Sequence, residues 1–254
     1  MIKVFDKRFL YLEFELDNLI KKFDSEGNYI KDSRNKLKEF KCSGVNIIIK
    51  SFKVPFFLNK IIYNFLRKGK AKRSFEHAKK LIEYKINTPK PIAYYEEKTR
   101  FFLKRSFYVC EKINYDFSMR YVIENLNNFT NRKIIKLFVK FTCDLHEKNI
   151  NFLDHSPGNT LIQKKNGEIF FYLVDLNRMK FKRLSVKERL INFSRLCAHT
   201  KSKDLVRLIS KEYSIITNTD ENFAFKIIWN NMLKYRIPYD LKKKIKRHFK
   251  VYSV

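Results

Sequence analysis

Two carboxylates and one amide in this chain are spaced in a way that suits metal-assisted chemistry. Asp154 and Asn159 are separated by four residues that include a Ser-Pro-Gly turn, and the apolar run Ile169–Val174 ends directly at Asp175. Carboxylate and amide oxygens are the hard ligands that Mg²⁺ prefers, and a positioned carboxylate can accept a proton from a hydroxyl group. The spacing therefore predicts a loop that combines a base with a metal ligand, followed by a strand that supplies a second ligand.

Asp and Asn are also common in ordinary turns, so each residue alone says little. The order of the surrounding elements is more specific. The β-branched run Val45–Lys50 ends in a lysine, with Lys53 as the alternative, and a helical segment containing Glu76 follows. In protein kinases a strand lysine neutralises the nucleotide phosphates and a helix glutamate pairs with it. There an Asp-x4-Asn loop also precedes the metal-binding Asp. The order therefore predicts phosphoryl transfer.

Each residue type has a role in that reaction. Asp154 is predicted to accept the proton of the acceptor hydroxyl, while Asn159 and Asp175 hold Mg²⁺. Lys50 is predicted to contact the phosphates of ATP, and Glu76 to hold Lys50 in place. A solvent-exposed lysine and a glutamate in the first turn of a helix are the plainer interpretations of those last two residues.

The nucleotide-binding residues are less well defined by the sequence. No G-x-G-x-x-G motif is present, and the phosphate-covering loop is predicted around residues 31–35, where Arg34 supplies positive charge. The segment from Glu111 to Asn114 follows a predicted strand and is interpreted as a hinge. We expect the backbone of Glu111 and Ile113 to bind the adenine edge.

The elements around these residues predict an α+β protein, a bilobal protein-kinase-like fold. The predicted N-terminal lobe, residues 1–113, is small and mainly antiparallel β with one key helix, expected from Ser74 as its cap to Tyr84. Strands are expected around Phe9–Phe14 and Tyr29–Ile30. The predicted C-terminal lobe, residues 114–254, is larger and mainly helical.

Three local patterns support this fold. Lys165-Asn166-Gly167 predicts a hairpin turn between Asn159 and Asp175, and Ser185 with Glu188 predicts a helix capping box. A helix with a regular apolar face is predicted over Arg132–His146, running into the Asp154 loop.

The composition indicates which kinds of partner the protein binds and in which cellular compartment it is expected. The 254 residues include 55 Lys and Arg against 26 Asp and Glu, a net charge of +29. Such a charge attracts anionic partners such as lipid headgroups, phosphorylated substrates or nucleic acid, although an AT-rich coding sequence would also enrich lysine. No apolar run is long enough for a transmembrane helix, and four scattered cysteines predict reduced thiols in a cytoplasmic protein.

The chain resembles the lipopolysaccharide core kinases, the Kdo/heptose kinase family of bacterial envelope biosynthesis, over roughly residues 40 to 200. The residues that carry the resemblance are Ile48-Ile49-Lys50 with Phe52-Lys53, Glu76, Asn87–Ala93, Leu145-His146, Asp154 with Ser156–Asn159, and Val174–Arg178. The resemblance implies ATP- and Mg²⁺-dependent phosphorylation of a sugar hydroxyl, on Kdo or heptose, in a lipid-linked anionic glycan. It also implies a location at the cytoplasmic face of the inner membrane, and no specific nucleic-acid partner is expected.

Two positions depart from the kinase pattern, and other functions stay open. Phe152 stands where protein kinases have the histidine of His-Arg-Asp, and Asn177 stands where they have the glycine of Asp-Phe-Gly. The alternatives are a kinase of another small molecule or of a protein, and a catalytically weak pseudokinase scaffold.

Overall fold

The computed structural model describes residues 1–32, 35–52, 68–98 and 103–251. The chain forms two compact units. The first comprises residues 1–114 and 172–178, and the second comprises residues 115–171 and 179–254. The short segment 172–178, which carries Asp175, thus groups with the first unit although it is distant from it in sequence. The predicted division into two lobes at residue 113 stays a prediction.

A six-stranded antiparallel sheet forms the first unit. Its spatial order is β1-β5-β6-β4-β3-β2, with strands β1 (Ile2–Phe5), β2 (Asn28–Lys31), β3 (Lys36–Cys42), β4 (Val45–Ser51), β5 (Pro91–Lys98) and β6 (Leu103–Glu111). In β4, Ile47 and Ile49 are fully buried in the core. Because side chains alternate along a strand, Lys50 falls on the opposite face.

The N-terminal segment of this unit is helical, contrary to the strand predicted around Phe9–Phe14. A 3₁₀ helix spans Lys7–Leu12 and α1 follows at Glu13–Lys21. The aromatic residues favoured a strand, but the buried side chains Leu12, Leu16 and Ile20 recur every fourth residue, which is the period of a helix face.

The helix α2 spans Lys70–Glu83, so it begins four residues before the predicted cap at Ser74. Ser74 lies inside the helix and its hydroxyl donates a hydrogen bond to the carbonyl of Lys70. Gly69 precedes the helix, where a Cβ would lie 1.9 Å from Oε1 of Glu96. The close approach of β5 therefore explains why a glycine starts this helix.

Helices dominate the second unit. They are α3 (Met119–Glu124), α4 (Phe129–Glu147), α5 (Val186–Cys197), α6 (Lys203–Thr217) and α7 (Glu221–Val251). Two small sheets accompany them, in the orders β10-β9-β7 and β11-β8. These strands are β7 (Phe117–Ser118), β8 (Ile150–Phe152), β9 (Thr160–Lys165), β10 (Glu168–Leu173) and β11 (Met179–Phe181).

The local patterns predicted for this unit are present. Asn166 and Gly167 have φ angles of +52° and +79° between β9 and β10, as a tight hairpin turn requires. Ser185 and Glu188 form the capping box of α5, with each side chain bonded to the other residue's backbone amide. The predicted helix over Arg132–His146 is present as α4, extended at its start because Asn128 accepts hydrogen bonds from two backbone amides.

Within the described ranges, no helix is both long and apolar enough to cross a membrane. The cysteines Cys42, Cys110, Cys143 and Cys197 are free and buried, which agrees with the prediction of reduced thiols. Burial raises the pKa of the Cys42, Cys110 and Cys143 thiols to about 12, so these thiols are protonated and unreactive at neutral pH.

Candidate active site

A lysine and a carboxylate far apart in sequence meet in the first unit. Nζ of Lys50, at the end of β4, lies 2.5 Å from Oδ1 of Asp175, and the same oxygen accepts a hydrogen bond of 2.6 Å from the side-chain amide of Asn177. The side chains of Lys50 and Asp175 are 16% and 30% exposed, so the ion pair is partly shielded from water. The second oxygen of Asp175 has no partner in the described part of the chain.

The backbone around Asp175 is held in an unusual conformation by the rest of the first unit. Asp175 has a φ of +61°, which is uncommon for a residue with a side chain and costs free energy. Before it, Leu173 exchanges hydrogen bonds with Asn87 and Thr88. After it, the carbonyl of Leu176 lies 2.7 Å from Nδ1 of His77 on α2. These contacts aim the Asp175 carboxylate at Lys50.

Burial lowers the pKa of His77, the residue that bonds the carbonyl of Leu176. The ring is therefore neutral at pH 7, and Nδ1 donates a hydrogen bond to that carbonyl in the tautomer that carries the proton on Nδ1. Because the ring is neutral, it adds no positive charge near Asp175, and within the described ranges the cation paired with this carboxylate is Lys50.

Glu76 does not pair with Lys50 in this structure, contrary to its predicted role. Its carboxylate is bonded to Nζ of Lys68 at 2.9 and 3.0 Å. Helix α2 begins before residue 74, and Ala71, Phe75 and Ala78 form its buried stripe. Glu76 is adjacent to this stripe and is 35% exposed, so it reaches the lysine that precedes the helix and leaves Lys50 to Asp175.

The predicted hinge begins at Glu111, the last residue of β6. The amide of Glu111 donates to the carbonyl of Lys90, and that of Lys112 donates to the carbonyl of Asn46. None of the described backbone hydrogen bonds outside helices and strands involves Ile113, which leaves its amide and carbonyl free to bind a ligand edge. Arg34 and Lys53, predicted as a phosphate-loop cation and as the alternative to Lys50, lie outside the described residues.

The Asp154 loop lies in the second unit, between β8 and β9. The side-chain amide of Asn159 donates a hydrogen bond of 2.9 Å to the carbonyl of Asp154. The turn Pro157–Asn159 is a short 3₁₀ helix. A Cβ on Gly158 would lie 3.0 Å from Nη2 of Arg120, so glycine lets that guanidinium rest on the turn. Asn159 thus closes the loop that begins at Asp154, and its role as a metal ligand stays a prediction.

Residues on α5 that the sequence did not reveal also contact this loop. Nη1 of Arg195 lies 2.9 Å from Oδ1 of Asp154, which makes an ion pair. The same atom donates a hydrogen bond of 2.9 Å to the carbonyl of Leu153. One turn earlier on α5, the side-chain amide of Asn192 donates a hydrogen bond of 2.9 Å to the carbonyl of Phe152. The spacing of these two residues places them on one face of α5. From the sequence, helical spacing could predict that the two residues share a face of α5, but not that this face contacts the Asp154 loop.

Two buried histidines lie beside the same loop. Nε2 of His146 is 3.1 Å from Oδ1 of Asn192, and Nε2 of His155 is 3.2 Å from Oγ1 of Thr142. Burial lowers the pKa of His146 to about 4 and that of His155 to about 3. Both rings are therefore neutral at pH 7 and serve as hydrogen-bonding and packing groups.

Each of the two units, taken by itself, offers an oxygen atom of a kind that binds Mg²⁺. No group of three or more His, Cys, Asp or Glu side chains within the described ranges is arranged to hold a metal ion. Protein sites for Mg²⁺ commonly use only one or two carboxylates, completed by substrate phosphates and water. The free carboxylate oxygen of Asp175 and the amide oxygen of Asn159 are ligands of that kind. Lys50 supplies the positive charge that phosphates require.

Comparison with known proteins identifies the family. Residues 26–213 match the model of the lipopolysaccharide kinase (Kdo/WaaP) family, which is well over half of the chain. The chain belongs to this family. It is therefore a kinase of the class that acts on lipopolysaccharide, and the resemblance found in the sequence is confirmed. No curated protein matches the chain.

Two solved structures are similar to this chain, and the first of them supports the fold. This chain is similar to the solved structure "WaaP in complex with acyl carrier protein". The TM-score is 0.63 and the sequence identity is 13%, and the match covers 97% of this chain and 99% of that chain. The Rio2 kinase–ADP/Mg²⁺–phosphoaspartate complex from Chaetomium thermophilum matches with a TM-score of 0.48 and 13% identity, over 95% and 77% of the two chains. The match to the WaaP structure confirms the predicted α+β, protein-kinase-like fold.

Proposed function

We propose that this family member transfers the γ-phosphoryl group of ATP, with Mg²⁺, to a sugar hydroxyl of the lipopolysaccharide inner core, on Kdo or heptose. The observation that best supports this proposal is the 2.5 Å ion pair between Lys50 and Asp175. It joins the end of a strand to a residue 125 positions later, and these are the residue types that contact nucleotide phosphates and the metal in kinases.

The proposed roles follow from the chemistry of each group. Lys50 neutralises phosphate charge, and Asn159 and Asp175 provide the oxygen ligands for Mg²⁺. When bound, Mg²⁺ offsets the negative charge on the transferred phosphoryl group. Asp154 accepts the proton of the sugar hydroxyl through a carboxylate oxygen and orients that hydroxyl for attack.

Nucleotide recognition is proposed at the segment after β6. The backbone of Glu111 and Ile113 would bind the adenine edge, and Arg34 would add charge at the phosphates. Glu76 is not included among the groups that hold Lys50, because in this structure it is paired with Lys68.

We also propose that the acceptor is a lipid-linked anionic glycan at the cytoplasmic face of the inner membrane. The net charge of +29 supports this partner, because basic residues near an anionic membrane contribute about 1 kcal/mol each. Specific nucleic-acid binding is not part of the proposal.

The experiment that tests the function compares envelope glycolipids from cells with and without the gene by mass spectrometry. The proposed kinase predicts one phosphate fewer on the inner core when the gene is absent. Asp175→Asn and Asp154→Asn should fail to restore that phosphate, whereas an exposed change such as Asp220→Asn should restore it. Full restoration by both site variants would overturn the proposal.

An assay with purified protein separates the alternatives. Lipopolysaccharide, lipid-free sugars and protein acceptors are each offered with Mg·ATP, and transfer to the second or third alone would identify a different kinase. Calorimetry with Mg·ATP tests the scaffold alternative, which predicts no nucleotide binding. The kinase proposal predicts binding that Lys50→Met weakens.

A further inference from the structure

Side chains hold three consecutive carbonyl groups in the Asp154 loop. The carbonyl oxygens of residues 152–154 accept hydrogen bonds, each of 2.9 Å, from Asn192, Arg195 and Asn159 in that order. Two of the three donors come from α5, which lies outside the loop in sequence. The conformation of the loop therefore depends on α5 as well as on its own turn.

Arg195 contacts both the backbone and the functional carboxylate of this loop. The same Nη1 atom lies 2.9 Å from the carbonyl of Leu153 and 2.9 Å from Oδ1 of Asp154. Its guanidinium carbon also lies 5.7 Å from the ring centroid of Tyr235, a distance at which a cation and a ring attract each other. The guanidinium thus contacts α7 on one side and the loop on the other.

This contact leaves one oxygen of Asp154 for chemistry. Oδ1 forms an ion pair with Arg195, and among the described residues no group pairs with Oδ2. A base must point a lone pair at the hydroxyl proton to within a fraction of an ångström. Fixing one oxygen of a carboxylate fixes the direction of the other. The arginine therefore has the geometry to aim the base.

The carbonyls of Phe152 and Leu153 are held by side chains of α5, whereas the loop's own Asn159 reaches only the carbonyl of Asp154. Phe152 stands where protein kinases carry a histidine, and its ring is fully buried and donates no hydrogen bond. The neighbouring His155 is also fully buried, in contact with Phe138 and Phe152. The aromatic side chains fill the space beneath the loop, but they cannot hold its polar groups.

We propose that Arg195 is a positioning residue for phosphoryl transfer, which holds Asp154 so that its free oxygen faces the acceptor hydroxyl. This inference rests on the proposed role of Asp154 as the base. Lysine at this position keeps the charge but lacks the planar guanidinium, so it cannot reproduce the bonds to Leu153 and Asp154 with the same geometry.

The test is a double-mutant cycle between Arg195→Met and Asp154→Asn, measured as phosphate transfer from labelled ATP. Arg195→Met is expected to lower kcat about 100-fold, because a misplaced catalytic group costs about that much, while the KM values for ATP and acceptor change less than about threefold. Arg195→Lys should recover part of the loss. In the Asp154→Asn background, Arg195→Met should cause no further loss.

Controls separate positioning from folding and from failure of the proposed function. Arg189→Met removes an arginine from the same helix, where it pairs with Glu147, and should keep kcat within about twofold. Thermal melting and Mg·ATP calorimetry of Arg195→Met should match the parent protein.

Three results would overturn the inference. If Arg195→Met lowers the residual rate of Asp154→Asn as much as it lowers the parent rate, Arg195 does not act through Asp154. If Arg195→Met keeps the parent kcat while Asp154→Asn is inactive, the positioning role is wrong and the proposed function stands. If Asp154→Asn is fully active, the proposed base is wrong, and the role of Arg195 is wrong with it.

Discussion

Lys50 has a different partner from the one that kinase patterns predict for it, and this has consequences for mutation. Because Lys50 contacts Asp175 and Glu76 contacts Lys68, we expect Lys50→Met to reduce kcat at least about 100-fold through lost phosphate stabilisation. Glu76→Gln should reduce it by no more than about fivefold. Phosphate transfer to lipopolysaccharide at saturating Mg·ATP measures both variants.

Lys68→Met is the matched control for Glu76→Gln, since it removes the other half of the same ion pair. The two variants should have similar small effects, because exposed ion pairs contribute little. If Glu76→Gln is as damaging as Lys50→Met while Lys68→Met is harmless, Glu76 acts on Lys50 after all. Such a result would mean that nucleotide binding exchanges the partners seen in this structure.

The neutral histidines beside the Asp154 loop predict a loss of stability in mild acid. The pKa of His146 is about 4 and that of His155 about 3 in the folded protein, against about 6.5 in the unfolded chain. Between these values the unfolded chain binds more protons, so stability falls as the pH decreases from about 6.5. At pH 5 each histidine lowers the free energy of unfolding by about 2 kcal/mol relative to neutral pH.

Chemical denaturation at pH 7.5 and pH 5 measures this effect. His155→Phe is the informative variant, because the ring already packs among aromatic side chains, Phe138 5.1 Å away between centroids. Phenylalanine should halve the histidine contribution to the pH dependence. Arg189 and Glu147, the charged groups that act on His146, are unchanged in the variant. An unaltered difference between the two pH values would contradict the assignment to His155.

Sequence could identify the residues of the candidate site more readily than their contacts. Asp154 and Asn159 are five positions apart, so local spacing was sufficient to predict that one loop holds both. Arg195 is 42 positions from Leu153 and Asn192 is 40 from Phe152. Helical periodicity places them on one face of α5 and does not say which loop that face meets. The partner of Glu76 could not be predicted, because it depends on where α2 begins.

At the scale of elements, a buried lysine joins β3 to the turn that follows α1. Lys38 is 1% exposed, and its Nζ donates to the carbonyl oxygens of Phe23, Asp24 and Glu26 at 2.7, 3.3 and 2.7 Å. Its Nζ also lies 4.3 Å from the ring centroid of Tyr29. One ammonium group thus satisfies three backbone acceptors.

Lys38→Met should lower the free energy of unfolding by about 3 kcal/mol, because it leaves these carbonyls without a donor while keeping the apolar part of the side chain. Lys41→Met on the same strand is the control. Lys41 is exposed, so its replacement should change stability by less than about 0.5 kcal/mol. Urea denaturation of both variants measures the difference, and equal midpoints would show that Lys38 is not structurally important.

Elements with strong local patterns were predicted correctly, and those that depend on distant contacts were not. Residues only a few positions apart specify three of them: the β-branched strand β4, the hairpin turn at Asn166-Gly167 and the helix cap at Ser185. The segment around Phe9–Phe14 was predicted as a strand because its aromatic residues favour strands. It is helical because Leu12, Leu16 and Ile20 pack against the sheet of the first unit, and that sheet is assembled from residues up to position 111.

For the molecule as a whole, the net charge predicts how the kinase would approach the proposed lipid-linked acceptor. The net charge is +29, and residues 242–250 of α7 include Lys242, Lys243, Lys244, Lys246, Arg247 and Lys250. Clusters of four to eight basic residues on a helix are typical of binding to anionic lipids, at about 1 kcal/mol per residue. Such binding is weakened by salt, since the Debye length falls from about 10 Å at 0.1 M to about 3 Å at 1 M.

We therefore expect the protein to co-sediment with vesicles containing anionic phosphatidylglycerol at low salt and to be released at high salt. Vesicles of neutral phosphatidylcholine should not retain it. Replacing Lys242, Lys243, Lys244 and Lys246 with Gln should weaken binding more than replacing four exposed lysines of the first unit, Lys7, Lys21, Lys31 and Lys41. Equal weakening by both sets would mean that total charge, rather than the C-terminal helix, provides the attraction. Retention that does not change with salt would mean that apolar contacts hold the protein at the bilayer and that its charge serves another partner.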